Sequence, residues 1–245
     1  MFDSANRFVV IIFTFWAFRN IGIPIFILDE MVIIASIFAI PLLSINFLLQ
    51  KFGEAKKVEE ITQEFASLRL KDEVFLTYLK LQKHYDVDKT TSSILFGNPN
   101  SGLLVTILTN PHCNPCASMH KRTEILLNDY GDDLCIQYIF SSFNDELDKS
   151  GKFLTALYIN HSNDMNFIKS CFDSWFASGK NNRDIYFDKY NEKIDSEAIN
   201  QEYSKHILWR EQNKLNTTPT ILVNGYELPN NYVIEDLRYF LSLYI

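Results

Sequence analysis

The 245-residue chain is poor in cysteine, glycine and proline, with 4, 8 and 7 of each. Four cysteines in this length cannot make a disulfide-dense scaffold. So little glycine and proline excludes a collagen-like or low-complexity chain. Basic residues are also short, 23 against 30 acidic ones, for a net charge of −7. Binding nucleic acid needs clustered Lys and Arg on phosphates, so nucleic acid is not an expected partner. Charge is scarcest at the start, where residues 1–50 hold only Asp3, Arg7, Arg19, Asp29 and Glu30.

Long apolar runs stand in place of that charge. Met31–Leu49 carries no charged residue and is diluted only by Ser36, Pro41, Ser44 and Asn46. A spanning helix needs roughly 20 mostly apolar residues, and the segment lacks the polar stripe of a surface helix. It is expected to lie in membrane lipid. Phe8–Leu28 is also long enough, although Arg19 at its middle costs about 3 kcal/mol on insertion scales. Its strongly apolar neighbours outweigh that cost, so a second spanning helix is expected over about residues 8–28. A cleaved signal peptide is disfavoured by the single basic residue at the start, the lack of a small-x-small site and the second apolar run that follows at once. Residues 1–50 therefore read as a transmembrane anchor. Lys51, Lys56 and Lys57 follow it and Arg7 precedes it. Taken alone, the positive-inside bias would put the remainder in the cytoplasm.

Residues 51–88 are rich in helix formers, with Val58, Ile61, Phe65 and Leu68 at helical spacing, and read as a helical linker. Alternating and continuous apolar runs then mark strands at Ser93–Phe96, Leu103–Leu108 and Leu134–Phe140. Between the second and third lies His112-Cys113-Asn114-Pro115-Cys116, followed by a helical stretch to about Asn128. This is a strand–CxxC–helix–strand unit with a dithiol at a helix start. The unpaired N–H groups and dipole of a helix N-terminus favour thiolate over thiol. Two Cys on one turn can close a disulfide with little backbone movement. Cys113 is the expected exposed nucleophile, and Cys116, one turn inside, resolves the mixed disulfide. Pro115 has no N–H to lose in the first turn. His112 flanks the motif and, if protonated, would favour the thiolate.

Thr218-Pro219-Thr220-Ile221-Leu222-Val223-Asn224-Gly225 reads as a strand entered through Pro219 and closed by a type I′ Asn-Gly turn. Ile234, Leu237, Phe240 and Leu241 give Val233–Tyr244 the look of a closing α-helix. Between Cys116 and Pro219 lie 102 residues without a proline. There Ile168, Cys171, Phe172, Trp175 and Phe176 form one helical stripe, and Ser196–Gln212 is a further helix.

CNPC after a buried strand, together with TPTILVNG, resembles the thioredoxin fold. The resemblance implies that Pro219 is cis and lies against the CxxC, and that Thr218 lends its backbone to a bound substrate chain. The long helical segment, about residues 145–213, resembles the insertion of DsbA-related disulfide oxidoreductases. The expected architecture is α/β: a thioredoxin-like domain over 89–245 with that insertion, preceded by one or two transmembrane helices. Across the whole chain, ILFGNPNSGLLVTILTNPHCNPC, DSWFASGK and TPTILVNGYELP resemble the C-terminal part of bacterial vitamin K epoxide reductase–thioredoxin fusions. That likeness implies a domain outside the cytoplasm, against the charge bias, and the family reading is preferred.

The expected activity is membrane-anchored thiol–disulfide exchange on cysteine-containing protein substrates, with no dissociable cofactor. The fusion's membrane bundle carries its own CxxC, whereas the cysteines here are 113, 116, 135 and 171. A separate redox partner must therefore recycle the dithiol. Direction stays open: Pro115 and Thr218 resemble reducing and isomerising relatives, while the fusion family oxidises. Two other readings remain for the motif, a static disulfide and a metal-binding chaperone using Cys113, Cys116 and His112 or His120. Cys135 and Cys171 read as core residues, though a second disulfide between them is open.

Overall fold

The computed structural model describes residues 12–17, 19 and 25–243. These fall into two compact units, Met1–Ala66 and Ser67–Ile245. Most of the segment at 8–28 lies outside the described residues. Its residues 12–17 are helical.

The first unit is dominated by α1, Ile25–Arg69, a 45-residue helix whose last residues enter the second unit. The sequence predicts a break at Asp29-Glu30 and a spanning helix confined to 31–49. The helix instead runs through both limits, because its ladder is backbone-to-backbone and exposed acidic side chains do not interrupt it. Among the described residues, 28–69 form a helix long and apolar enough to cross a membrane, and its most apolar stretch is nowhere buried inside the protein. Ser36 and Ser44 turn their hydroxyls back onto the carbonyls of Val32 and Ile40, each at 2.7 Å. Both polar groups are thereby satisfied without water.

The second unit is built on a five-stranded sheet in the order β1-β3-β2-β4-β5. The strands are β1 Leu95–Gly97, β2 Leu104–Thr109, β3 Cys135–Phe140, β4 Thr220–Val223 and β5 Tyr226–Glu227. β2 and β3 run parallel, joined by α3, Asn114–Tyr130, and the other pairs are antiparallel. Every residue of β2 and β3 is buried, as both faces of the sheet are covered. Val105, Ile107, Ile136 and Tyr138 join the main core, and Leu108, Ile139 and Leu222 a smaller one with Tyr85 and Trp209. The polar Thr106 and Gln137 face each other across the β2–β3 register, 3.0 Å apart. Asn224 and Gly225 both have positive φ, 45° and 88°, as a type I′ turn requires.

Before the sheet comes α2, Asp72–Lys80, which buries Phe75 and Leu79. Between β3 and β4 stands a helical block: α4 Asp145–Asn160, α5 Met165–Ala177, α6 Arg183–Tyr190 and α7 Glu197–Gln212. Asn144 caps α4 by accepting from the amides of Glu146 and Leu147, and Asp164 caps α5 through the amide of Phe167. Each such cap contributes about 1 kcal/mol. Ile168, Cys171, Phe172, Trp175 and Phe176 are all buried, as their stripe predicts. The closing element differs from expectation. Ile234–Tyr239 is a 3₁₀-helix, and Ile234, Leu237 and Phe240 are fully buried. Their spacing of three is the 3₁₀ period, in which such residues eclipse one another.

Candidate active site

β2 delivers the chain to Asn110, whose side-chain oxygen accepts from the His112 amide at 2.9 Å while its carbonyl accepts from the Cys113 amide at 3.1 Å. This tight turn stops the strand and starts α3. Cys113 is the N-cap, in extended conformation, and its carbonyl accepts the Ala117 amide at 3.0 Å. Its side chain caps nothing, so the sulfur stays at the open end of the helix among donor groups. Pro115 stands in the first turn, where no N–H is missed.

The two cysteines are unequal. Cys113 is half-buried and Cys116 only 1 % exposed. Burial pushes the Cys116 thiol up, against the opposing pull of the Asn110 amide, 3.4 Å from its sulfur, and of Thr218 and Thr109. The neighbouring Cys113 thiol reinforces the rise. Cys116 is thus held as a thiol near neutrality, within reach of Cys113.

Opposite them lies the loop into β4. The Thr218–Pro219 bond is cis, and the Thr218 carbonyl faces the Cys113 sulfur at 4.0 Å. Residues 105 apart in sequence thus share one surface. Thr220 ties the loop down by donating its hydroxyl to the Thr217 carbonyl at 2.8 Å.

The helical block completes the surroundings. Lys180 donates to the side-chain oxygen of Asn114. The His112 ring nitrogen Nε2 lies 2.9 Å from Ser150 Oγ on α4. Burial, then the positive charges of Arg183 and Lys180, push the His112 pKa down. This favours the neutral imidazole, the form that brings no charge to a neighbouring thiolate. Trp175 is fully buried and donates its indole N–H to the Pro111 carbonyl at 3.1 Å. Sequence reasoning places Trp175 in the core and misses this bond. Only the indole's single donor, which needs a partner when buried, could have signalled it.

The four residues of the metal-binding alternative do not converge. His112 addresses Ser150, and His120 is turned to Tyr138 and Asp173. Cys135 and Cys171 are buried free thiols, both pushed up by burial.

A central parallel pair flanked by antiparallel strands, with a CxxC at the joining helix and a cis-proline loop facing it, defines a thioredoxin fold. The chain belongs to the thioredoxin family, whose description "Thioredoxin" matches residues 89–242. No curated protein matches the chain. Among solved structures it is similar to oxidised BdbD from Bacillus subtilis, with 12% identity and a TM-score of 0.53 over 66% of this chain and 96% of that one. It is also similar to ScsC from Proteus mirabilis in a transitional conformation, with 13% identity and a TM-score of 0.51 over 88% of this chain and 96% of that one. At these identities the likeness is one of fold.

Proposed function

We propose that the chain is a membrane-anchored thiol–disulfide oxidoreductase acting on protein cysteines outside the cytoplasm. The observation that carries this is the pairing of a partly accessible Cys113 at a helix N-terminus with a buried Cys116 behind it and the Thr218 carbonyl before it. In the reducing direction the Cys113 thiolate attacks one sulfur of a client disulfide, and the other client sulfur leaves and takes up a proton. Cys116 then gives up its proton and attacks the Cys113 sulfur. The client departs as a dithiol, two electrons richer, and Cys113–Cys116 is left oxidised. Oxidation of a client is the same sequence reversed.

In this reading the Thr218-Pro219 loop presents backbone groups to the client chain beside Cys113. His112, Asn114 and Pro115 shape the loop, with His112 held by Ser150 and Asn114 by Lys180. A separate redox partner recycles the pair. The anchor reading rests on the apolar helix 28–69. The extracytoplasmic side rests on the resemblance to vitamin K epoxide reductase–thioredoxin fusions.

The test is equilibration of the full-length chain, in detergent micelles, with glutathione redox buffers. A single two-electron transition of Cys113–Cys116 is expected. A potential of about −120 mV marks a donor of disulfides, and one of about −270 mV a reductant. A pair that never equilibrates would sink the proposal.

A further inference from the structure

A second cluster lies on the cleft between α3 and α5. His120 and Glu124 are four residues apart on α3 and so share one face, and Asp173 comes from α5. One ligating atom from each lies within 4.8 Å of the others. His120 and Glu124 are only 3% and 8% exposed, while Asp173 opens to solvent. The imidazole is fixed from behind. Its Nδ1 is 3.0 Å from the hydroxyl of buried Tyr138, and its ring stacks on Phe176 with centroids 4.5 Å apart. Its Nε2 points forward to Asp173 Oδ1 at 2.9 Å. In front is an open cleft of about 620 Å³, lined also by Ser118, Lys121 and Asn128.

We infer that His120, Glu124 and Asp173 form a binding site for a divalent transition-metal ion, with water completing the shell. One imidazole and two carboxylates, with an open position, suit Zn²⁺. The imidazole argues against Mg²⁺ and Ca²⁺, which take oxygen ligands. The Tyr138 hydroxyl behind the ring stands where metal-bound histidines place an outer hydrogen-bond partner. Lys169 is the built-in competitor: its amine sits 3.4 Å from Glu124, and it also donates to Asn128 at 3.0 Å. When the ion displaces it, Asn128 keeps the amine. With Lys169 withdrawn, the two carboxylates offer the charge a divalent cation needs.

The test uses the full-length chain in micelles with Cys113 and Cys116 oxidised to the disulfide, so that their thiolates cannot bind. Zn²⁺ is titrated by calorimetry and Co²⁺ by visible absorption. One ion per chain is expected, with a Co²⁺ spectrum of nitrogen and oxygen ligation and no thiolate charge-transfer band. Asp173→Asn, on an exposed side chain, is expected to weaken binding at least by the roughly 10–100-fold that loss of an outer-shell partner costs. Lys169→Gln is expected to tighten it. No ion bound, a thiolate band, or an affinity that neither substitution changes overturns the site. None of these outcomes depends on whether the Cys113–Cys116 pair exchanges with client disulfides.

Discussion

Two regions of this chain use the same apolar side chains in opposite ways. On α1, Ile37, Phe38, Leu42 and Leu43 are 61% to 68% exposed, whereas Phe75, Phe96, Phe153, Phe172 and Trp175 in the second unit are at most 2% exposed. A charge-free apolar run of about 20 residues has the length and composition that a lipid solvent requires. An apolar pattern interrupted at fixed intervals specifies a protein core. The treatment of polar groups follows the same division. Serines on α1 bond within their own helix. In the second unit, some buried polar groups also find distant partners, as Ser92 does with the Tyr138 carbonyl and Gln137 with the carbonyl of Asp88.

The comparison can be broken most severely at the chemistry itself. Cys113→Ser is expected to bring exchange of an insulin disulfide down to the uncatalysed rate, while Ile37→Lys on α1 leaves the rate per folded chain unchanged. An exchange rate that survives Cys113→Ser would move the activity elsewhere. Next in size is truncation of the core. Trp175→Ala is expected to cost about 3–5 kcal/mol, read as a lower denaturation midpoint of the chain in micelles. The matched truncation Ile37→Ala, which removes no contact with a protein core, is expected to stay within about 0.5 kcal/mol of the parent. Equal costs would erase the distinction between the regions. Ile37→Lys itself should cost about 3 kcal/mol of membrane insertion, visible as a smaller membrane fraction after alkaline extraction.

The smallest expected effect is on pH dependence. His206 is completely buried, and burial pushes its pKa down against the opposing pull of Glu202. Burial pushes the Glu202 carboxyl up, but His206, Lys205 and the Ser93 amide outweigh it and hold it well below the usual range. Both groups thus take up protons less readily folded than unfolded. Their stabilisation is full above the unfolded pKa values, about 6.5 for His and 4.3 for Glu, and is lost as the pH falls below each. The Tm is therefore expected to drop between pH 7 and pH 5, and His206→Gln should flatten that drop. A Tm that rises towards pH 5 would contradict the assignment.

Much of the fold is legible in the sequence because it is written locally. The strands announce themselves by apolar runs, the β4–β5 turn by Asn224-Gly225, and the dithiol by its place after β2. The rest is written in distance. Nothing near Trp175 in sequence says that its indole will bond Pro111, 64 residues earlier. Nothing near His120 foretells Asp173, 53 residues later. The closing element misleads for a different reason. Ile234, Leu237 and Phe240 are compatible with either helical period at such short length, and packing chose the tighter one. At the site, Cys113 and Cys116 follow from the sequence motif. The lowered pKa of His112 could not be read there, since it depends on burial under α4 and on Arg183 and Lys180.

The bonds from Trp175 to Pro111 and from Ser150 to His112 bear on how such a chain can change over time. The dithiol loop hangs from β2, yet the partners of the Pro111 carbonyl and the His112 ring belong to the block between β3 and β4. That block is consequently no detachable module. A chimera that exchanged it for a short connection would strand a carbonyl and an imidazole, at about 1–3 kcal/mol each if they remained buried. Loop and block are heritable only as one piece, and substitutions at Pro111 or His112 are tied to those at Trp175 and Ser150.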